Sequence, residues 1–288
     1  MTLLHALIPL ALLQVGPNPG GPNPLGTPEE LLNRPERPER NPDPLGLSSP
    51  TAAWLAECLT QLETDAARAH SKAQIRRNET SGADRVVANH CLGLAAAELG
   101  LWDDARTAFS SAREETPADQ SRARGRFAAM AGNAALASGD AAGALMLLRT
   151  ALTDAEMAAS ATLQNIATLD MSRALVALGR PEDALAPLDQ ATLLLPEESE
   201  GWLLKATLLR RLDRLEEAQS AIERAVDLAP QDGAIGLEAG VIAVLSGRDD
   251  AARQSWQSVI DTQPESAAAE TAKGYLDQLG PETETAAQ

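Results

Sequence analysis

The chain has 288 residues, of which 44% are apolar but only 2% aromatic, and it carries a formal net charge of -17 with a pI near 4.6. A core in such a chain must be packed by alanine and leucine, which suits closely spaced helices and argues against a β-sandwich. The acidity argues against a nucleic-acid binder, whose affinity for phosphate needs a basic face, and an anionic membrane surface would repel it as well.

Residues 1–15 read as a signal-like hydrophobic segment. The apolar run Leu3 to Val15 is too short to span a bilayer comfortably and resembles the apolar region of an export signal, although no Lys or Arg precedes it. Residues 16–50 contain PNPGGPNPLGTP and RPERPERNPDPLGLSSP, a disordered Pro/Gly-rich linker in this reading, because dense proline removes amide donors and few apolar residues remain to fold. Such a stalk reaches on the order of 100 Å at about 3.1 Å per residue in polyproline geometry. Membrane contact is expected only through the N-terminal segment, if it stays uncleaved.

Residues 51–280 read as helical hairpins. Thr51 to Asn78 is a degenerate first unit, with a turn around Thr64 and Asp65 and with Ala66 and Ala73 at close-approach spacing. Val86 to Pro117 is the second, carrying Gly93, Ala96, Ala105, Phe109 and Ala112, with Gly100 supplying the turn. Gly125 to Glu156 is the third, with Gly132, Ala135, Gly139, Ala144, Leu148 and Ala151. Gly100, Gly139 and Gly179 stand 39 and 40 residues apart, which predicts longer helices or loops around Glu115 to Arg124 and Asp154 to Gln164. Asn165 to Pro196 is the fourth unit.

Ser199 to Pro264 is one 34-residue period written twice: Trp202, Ala206, Leu209, Ala218, Ile222, Ala225 and Pro230 are met by Gly236, Gly240, Ala243, Ala252, Trp256, Val259 and Pro264. Small residues at Ala206, Ala218, Gly240 and Ala252 let antiparallel helices approach, and a hairpin with one open apolar face is stable only when stacked on a neighbour. After Pro264, SAAAETAKGYLDQLG reads as a capping helix with Ala268, Ala272, Tyr275 and Leu279 towards the stack, and 281–288 as an acidic tail.

These small and large positions resemble the tetratricopeptide repeat (TPR) family, whose pattern runs W-x2-L-G-x2-Y, then A-x3-F-x2-A and a terminal P; Gly236 departs from it at the first aromatic. The resemblance implies an all-α, TPR-like helical-hairpin solenoid, here on a disordered Pro-rich N-terminal stalk. It implies a non-enzymatic scaffold or adaptor that binds a protein or peptide segment in a concave groove, resembling bacterial envelope TPR proteins. The expected location is periplasmic, or tethered to the inner membrane facing the periplasm, with a cytoplasmic protein as the alternative. A regulatory subunit of an enzyme complex is the alternative function. No cofactor and no metal site is expected.

In that family the first helices line the concave surface. The resemblance carries this role onto Val87, His90 and Leu94, then Arg126, Asn133 and Leu136, then Leu169 and Arg173, then Leu203, Thr207 and Arg210, and last Leu237, Val241 and Val244. Arg126, Arg173 and Arg210 would make a basic strip in an acidic protein, with Asn133 able to hold a peptide backbone; the competing reading is that these arginines are solvated or paired with acids. Cys58 and Cys91 fall in two neighbouring first helices. In an oxidising compartment a bridge between them would add roughly 3 to 4 kcal/mol, and in the cytosol they would be two buried thiols. His90 beside Cys91 cannot clamp one ion with it, since adjacent helical residues diverge by about 100°. A catalytic site at the Cys58, His70, His90, Cys91 corner is the remaining enzymatic reading.

Overall fold

A computed structural model describes residues 49–280, and the expected signal-like segment, the linker up to residue 48 and the tail 281–288 lie outside the described residues. Thirteen helices occupy the described residues: α1 (Pro50–Thr64), α2 (Ala66–Glu79), α3 (Ala83–Glu98), α4 (Trp102–Glu115), α5 (Ser121–Ala137), α6 (Ala141–Met157), α7 (Ala161–Ala177), α8 (Leu185–Leu194), α9 (Ser199–Arg211), α10 (Leu215–Leu228), α11 (Gly233–Leu245), α12 (Asp249–Thr262) and α13 (Ala267–Leu279). They pair into six hairpins with α13 laid over the last. Each helix packs on its neighbours in sequence, and α1 also touches α3, α5 touches α7, α9 touches α11 and α11 touches α13. No two second helices are drawn together to that degree, which puts the first helices on the tighter side of the stack.

The hairpin turns follow from backbone chemistry. Gly100, Gly139, Gly179 and Gly247 all have φ between +69° and +85°, and Asp213 takes the same place at +60°. The residue after each donates its N–H five residues back, as in Leu101 to Ala96 O (2.8 Å) and Arg214 to Leu209 O (2.9 Å), which satisfies carbonyls that the helix end would leave orphaned. Pro50 opens α1 behind the Ser49 cap, whose hydroxyl accepts from Ala52 N, because the first helical position needs no amide donor. Pro187 explains why α8 is only ten residues long: it stands in the first turn, and the preceding Pro181–Ala184 remains in turns.

The lengthened spacing predicted around units two to four went mainly into helices. α5, α6 and α7 have 17 residues each, against 13 or 14 in α9 to α12. The extra turns are held by a buried carboxylate. Arg113 Nε donates to Asp154 Oδ2 at 2.7 Å and its Nη2 to Oδ1 at 3.3 Å, while Arg124 Nη1 donates to Arg113 O and Thr116 O.

Alanine dominates the core, as the composition required. Ala105, Ala112, Ala135, Ala144, Ala206, Ala218 and Ala252 are fully buried, with Leu148, Leu188, Leu209, Ile222, Ile235 and Ile242 filling the space beside them. Each such aliphatic side chain contributes about 1.5–3 kcal/mol by leaving water. In the first hairpin the buried pair is Ala69 and Ala73, whereas Ala66, expected at the close approach, is half-exposed one turn earlier. The closing helix buries Ala269 and Ala272 and stacks Tyr275 on Trp256, ring centroids 5.1 Å apart.

Candidate functional site

Two of the three arginines expected on the first-helix face have acidic partners. Arg210 on α9 makes a two-pronged pair with Glu238 on α11, Nε to Oε1 at 2.6 Å and Nη2 to Oε2 at 3.2 Å. Arg173 on α7 donates to Asp170 Oδ1 and to Glu200 Oε1 on α9, each at 2.5 Å. Asn133 on α5, expected to hold a ligand backbone, hydrogen-bonds Asp170. Asn133, Asp170, Arg173 and Glu200 thus form one polar chain across three successive first helices. Burial holds the Asp170 carboxyl above its ordinary range, against the hydrogen bonds from Asn133 and Arg173, which lower it.

The basic strip is therefore not a row of three available cations. Arg173 and Arg210 are neutralised by acids of the next first helix, and only Arg126, exposed on α5, has no ion pair among the described residues. Arg126 faces His90 of α3, whose ring stands edge-on to Phe127 (5.3 Å) and tilted to Phe109 (6.5 Å). Burial, with Arg126 adding to it, pushes the His90 pKa down to about 4, so the imidazole is neutral at ordinary pH. Leu169, also assigned to the groove, is instead in the core beside Leu145 and Leu188.

Between α7 and α9 the face opens. Their backbones approach less closely than those of α5 and α7 or of α9 and α11, while Arg173 and Glu200 bridge them. The resulting cleft holds about 260 Å³ and is floored by Val176, Leu188, Leu204 and Leu208. Buried Ser172 also lines it, and its rim is Arg173, Thr207 and Arg211. Of the expected site residues, Arg173 and Thr207 meet here; Arg126 and Asn133 lie towards the N-terminal end of the face and Arg210 at the α9–α11 seam. Sequence reasoning missed Leu204, Arg211 and the acids Asp170, Glu200 and Glu238. A usable signal existed: Glu200 follows Arg173 by 27 residues and Glu238 follows Arg210 by 28, about two helical turns short of one repeat, which puts each acid in the first half of the next first helix.

At the N-terminal end Cys58 of α1 and Cys91 of α3 form a disulfide, with Cα atoms 6.3 Å apart, so neither sulfur stands as a thiol. The Cys58, His70, His90, Cys91 corner is thus a covalent staple beside an aromatic cluster. Among the described residues no group of three or more His, Cys, Asp or Glu could hold a metal ion, and no helix is long and apolar enough to cross a membrane.

Residues 169–233 and 203–268 match the tetratricopeptide repeat family model. Among solved structures the chain is similar to PilF of Pseudomonas aeruginosa, with a TM-score of 0.58 at 14% identity over 78% of this chain and 97% of that one. It is also similar to MamA from Desulfovibrio magneticus RS-1, in a structure running from residue 41 to its end, with a TM-score of 0.52 at 15% identity over 63% of this chain and 97% of that one. At these identities the likeness is one of fold. No curated protein matches.

Proposed function

With tetratricopeptide repeats matched across residues 169–233 and 203–268, we propose that this chain is a non-enzymatic scaffold holding a segment of a partner protein along its first-helix face, anchored in the cleft between α7 and α9. Tetratricopeptide proteins are generally interaction scaffolds, and the cleft is the observation that carries the reading here. Its apolar floor can take an aliphatic side chain, worth about 1.5–3 kcal/mol when fully buried, and its rim offers Thr207 and the exposed Arg211 to the segment's polar groups. Arg173 and Arg210 act in this reading as struts that set the spacing of α7, α9 and α11.

The site of action we propose is the bacterial cell envelope, on the periplasmic side. Two features support it: the Cys58–Cys91 disulfide, which persists in oxidising compartments, and the apolar run Leu3 to Val15. The test is capture of partners from an envelope extract on the full chain and on Leu204→Glu and Arg210→Gln variants. Loss of the bound protein with Leu204→Glu, but not with Arg210→Gln, is the expected result. Equal capture by all three removes the cleft from consideration.

A further inference from the structure

A second site lies away from this cleft, where one repeat lacks what its predecessor supplies. α9 and α10 are followed at a strict 34-residue interval by α11 and α12. In the first of these repeats Trp202 packs against the core that contains Ala206, Ala221 and Ala225, and its indole Nε1 donates to Pro196 O at 3.0 Å. Lys205 lies over the ring at 5.6 Å. In the second repeat Trp202 becomes Gly236, Ala225 becomes Val259, Lys205 becomes Ala239 and Pro196 becomes Pro230.

Val259 takes up part of the vacated space, since a Cβ at Gly236 would run into its Cγ2. Two methyl groups cannot replace an indole. What remains is a slot of about 250 Å³ between α10, α11 and α12, walled by Val226, Ile235, Gly236, Ala239 and Val259 and bordered by Gln254 and Ser258. Pro230, the counterpart of the residue whose carbonyl binds the Trp202 indole, lines it as well. The only ionisable side chain on the wall is Asp232.

We infer that this slot receives an aromatic side chain bearing an N–H or O–H donor, tryptophan above all, from a basic segment of a partner protein. The shape and the acceptor are those that the preceding repeat satisfies with its own Trp202. The basic flank follows from charge: Lys205, which lies over the indole there, has no counterpart here, Asp232 borders the slot, and the chain carries a net charge of -17.

The experiment is a 19F NMR titration of the full chain with an amidated Lys-Trp-Lys peptide carrying 5-fluorotryptophan. Saturable line broadening with the native chain is expected. The double variant Gly236→Trp/Val259→Ala rebuilds the plug of the preceding repeat and should weaken binding at least tenfold while circular dichroism stays helical. Ser258→Lys, at the mouth, should weaken it through like charge and serves if the plugged variant misfolds. Leu204→Glu, in the α7–α9 cleft, should leave it unchanged, so failure of one site is told from failure of the other. No saturable binding to the native chain, or equal binding to the plugged and Ser258→Lys variants, overturns the inference.

Discussion

The ring of Phe109 on α4 lies flush against the backbone of Gly93 on α3, so that a Cβ at Gly93 would stand 2.5 Å from Phe109 Cε1. The same relation recurs sixteen residues apart along the stack. Leu148 covers Gly132, where a Cβ would meet Cγ at 2.7 Å, and Trp256 covers Gly240, whereas Ala206 packs in one cluster with Ile222. Glycine appears where the opposing side chain is large or driven hard against the helix. Gly93→Ala therefore forces Phe109 off its packing at about 1–3 kcal/mol, against roughly 0.5–1 kcal/mol regained in helix propensity. We expect a lower urea midpoint with an unchanged slope, and partial recovery on adding Phe109→Leu; a midpoint at or above the native value would refute the contact.

Ala159 breaks the pattern of the turns, since it holds φ +47° while donating to Glu156 O with no glycine to ease it. A left-handed alanine costs about 1–2 kcal/mol, of which glycine's greater freedom in the unfolded chain offsets roughly 0.4–1. Ala159→Gly should raise thermal stability slightly, and Gly139→Ala, at φ +85°, should lower it. Two shifts of the same sign would contradict the assignment.

The Cys58–Cys91 bridge ties the first hairpin to the second across 33 residues, and its sulfurs are buried. Loss of such a loop closure costs roughly 3–4 kcal/mol. Reductant, or Cys58→Ser with Cys91→Ser, should lower the melting temperature and speed amide exchange in α1 and α2 before the rest of the stack. Exchange that accelerates uniformly would show that the staple is not local.

His90 gives the fold an acid sensitivity. The unfolded chain binds a proton there near pH 6.5, the native state only near pH 4, so between these values the unfolded state holds the extra proton and stability falls as pH falls. The window is worth about 3 kcal/mol at 1.36 kcal/mol per unit. Asp170 runs the other way: its native pKa is raised, so its unfavourable contribution disappears as pH drops through that value. His90→Gln should flatten the decline in melting temperature between pH 6.5 and 4, and a decline as steep as the native one would locate the sensitivity elsewhere.

The order of hairpins, their turns and the small residues between helices were legible in the sequence because each depends on neighbours within one repeat. Gly100, Gly139 and Gly179 mark turns by backbone conformation alone, and Ala206 or Gly240 marks a close approach by size alone. Cys58 and Cys91 were legible as a pair for the same reason, one first helix to the next. What the stack alone decided involves distances between repeats. Whether Arg173 and Arg210 face a ligand or an acid depends on how near Glu200 and Glu238 are brought by the following first helix. Leu169 turned into the core beside Leu145 and Leu188, and the α7–α9 cleft opened over Leu188 of α8. Identity along a chain fixes which side chains can fill a space, but the rotation and separation of successive hairpins fix whether a space is there to fill.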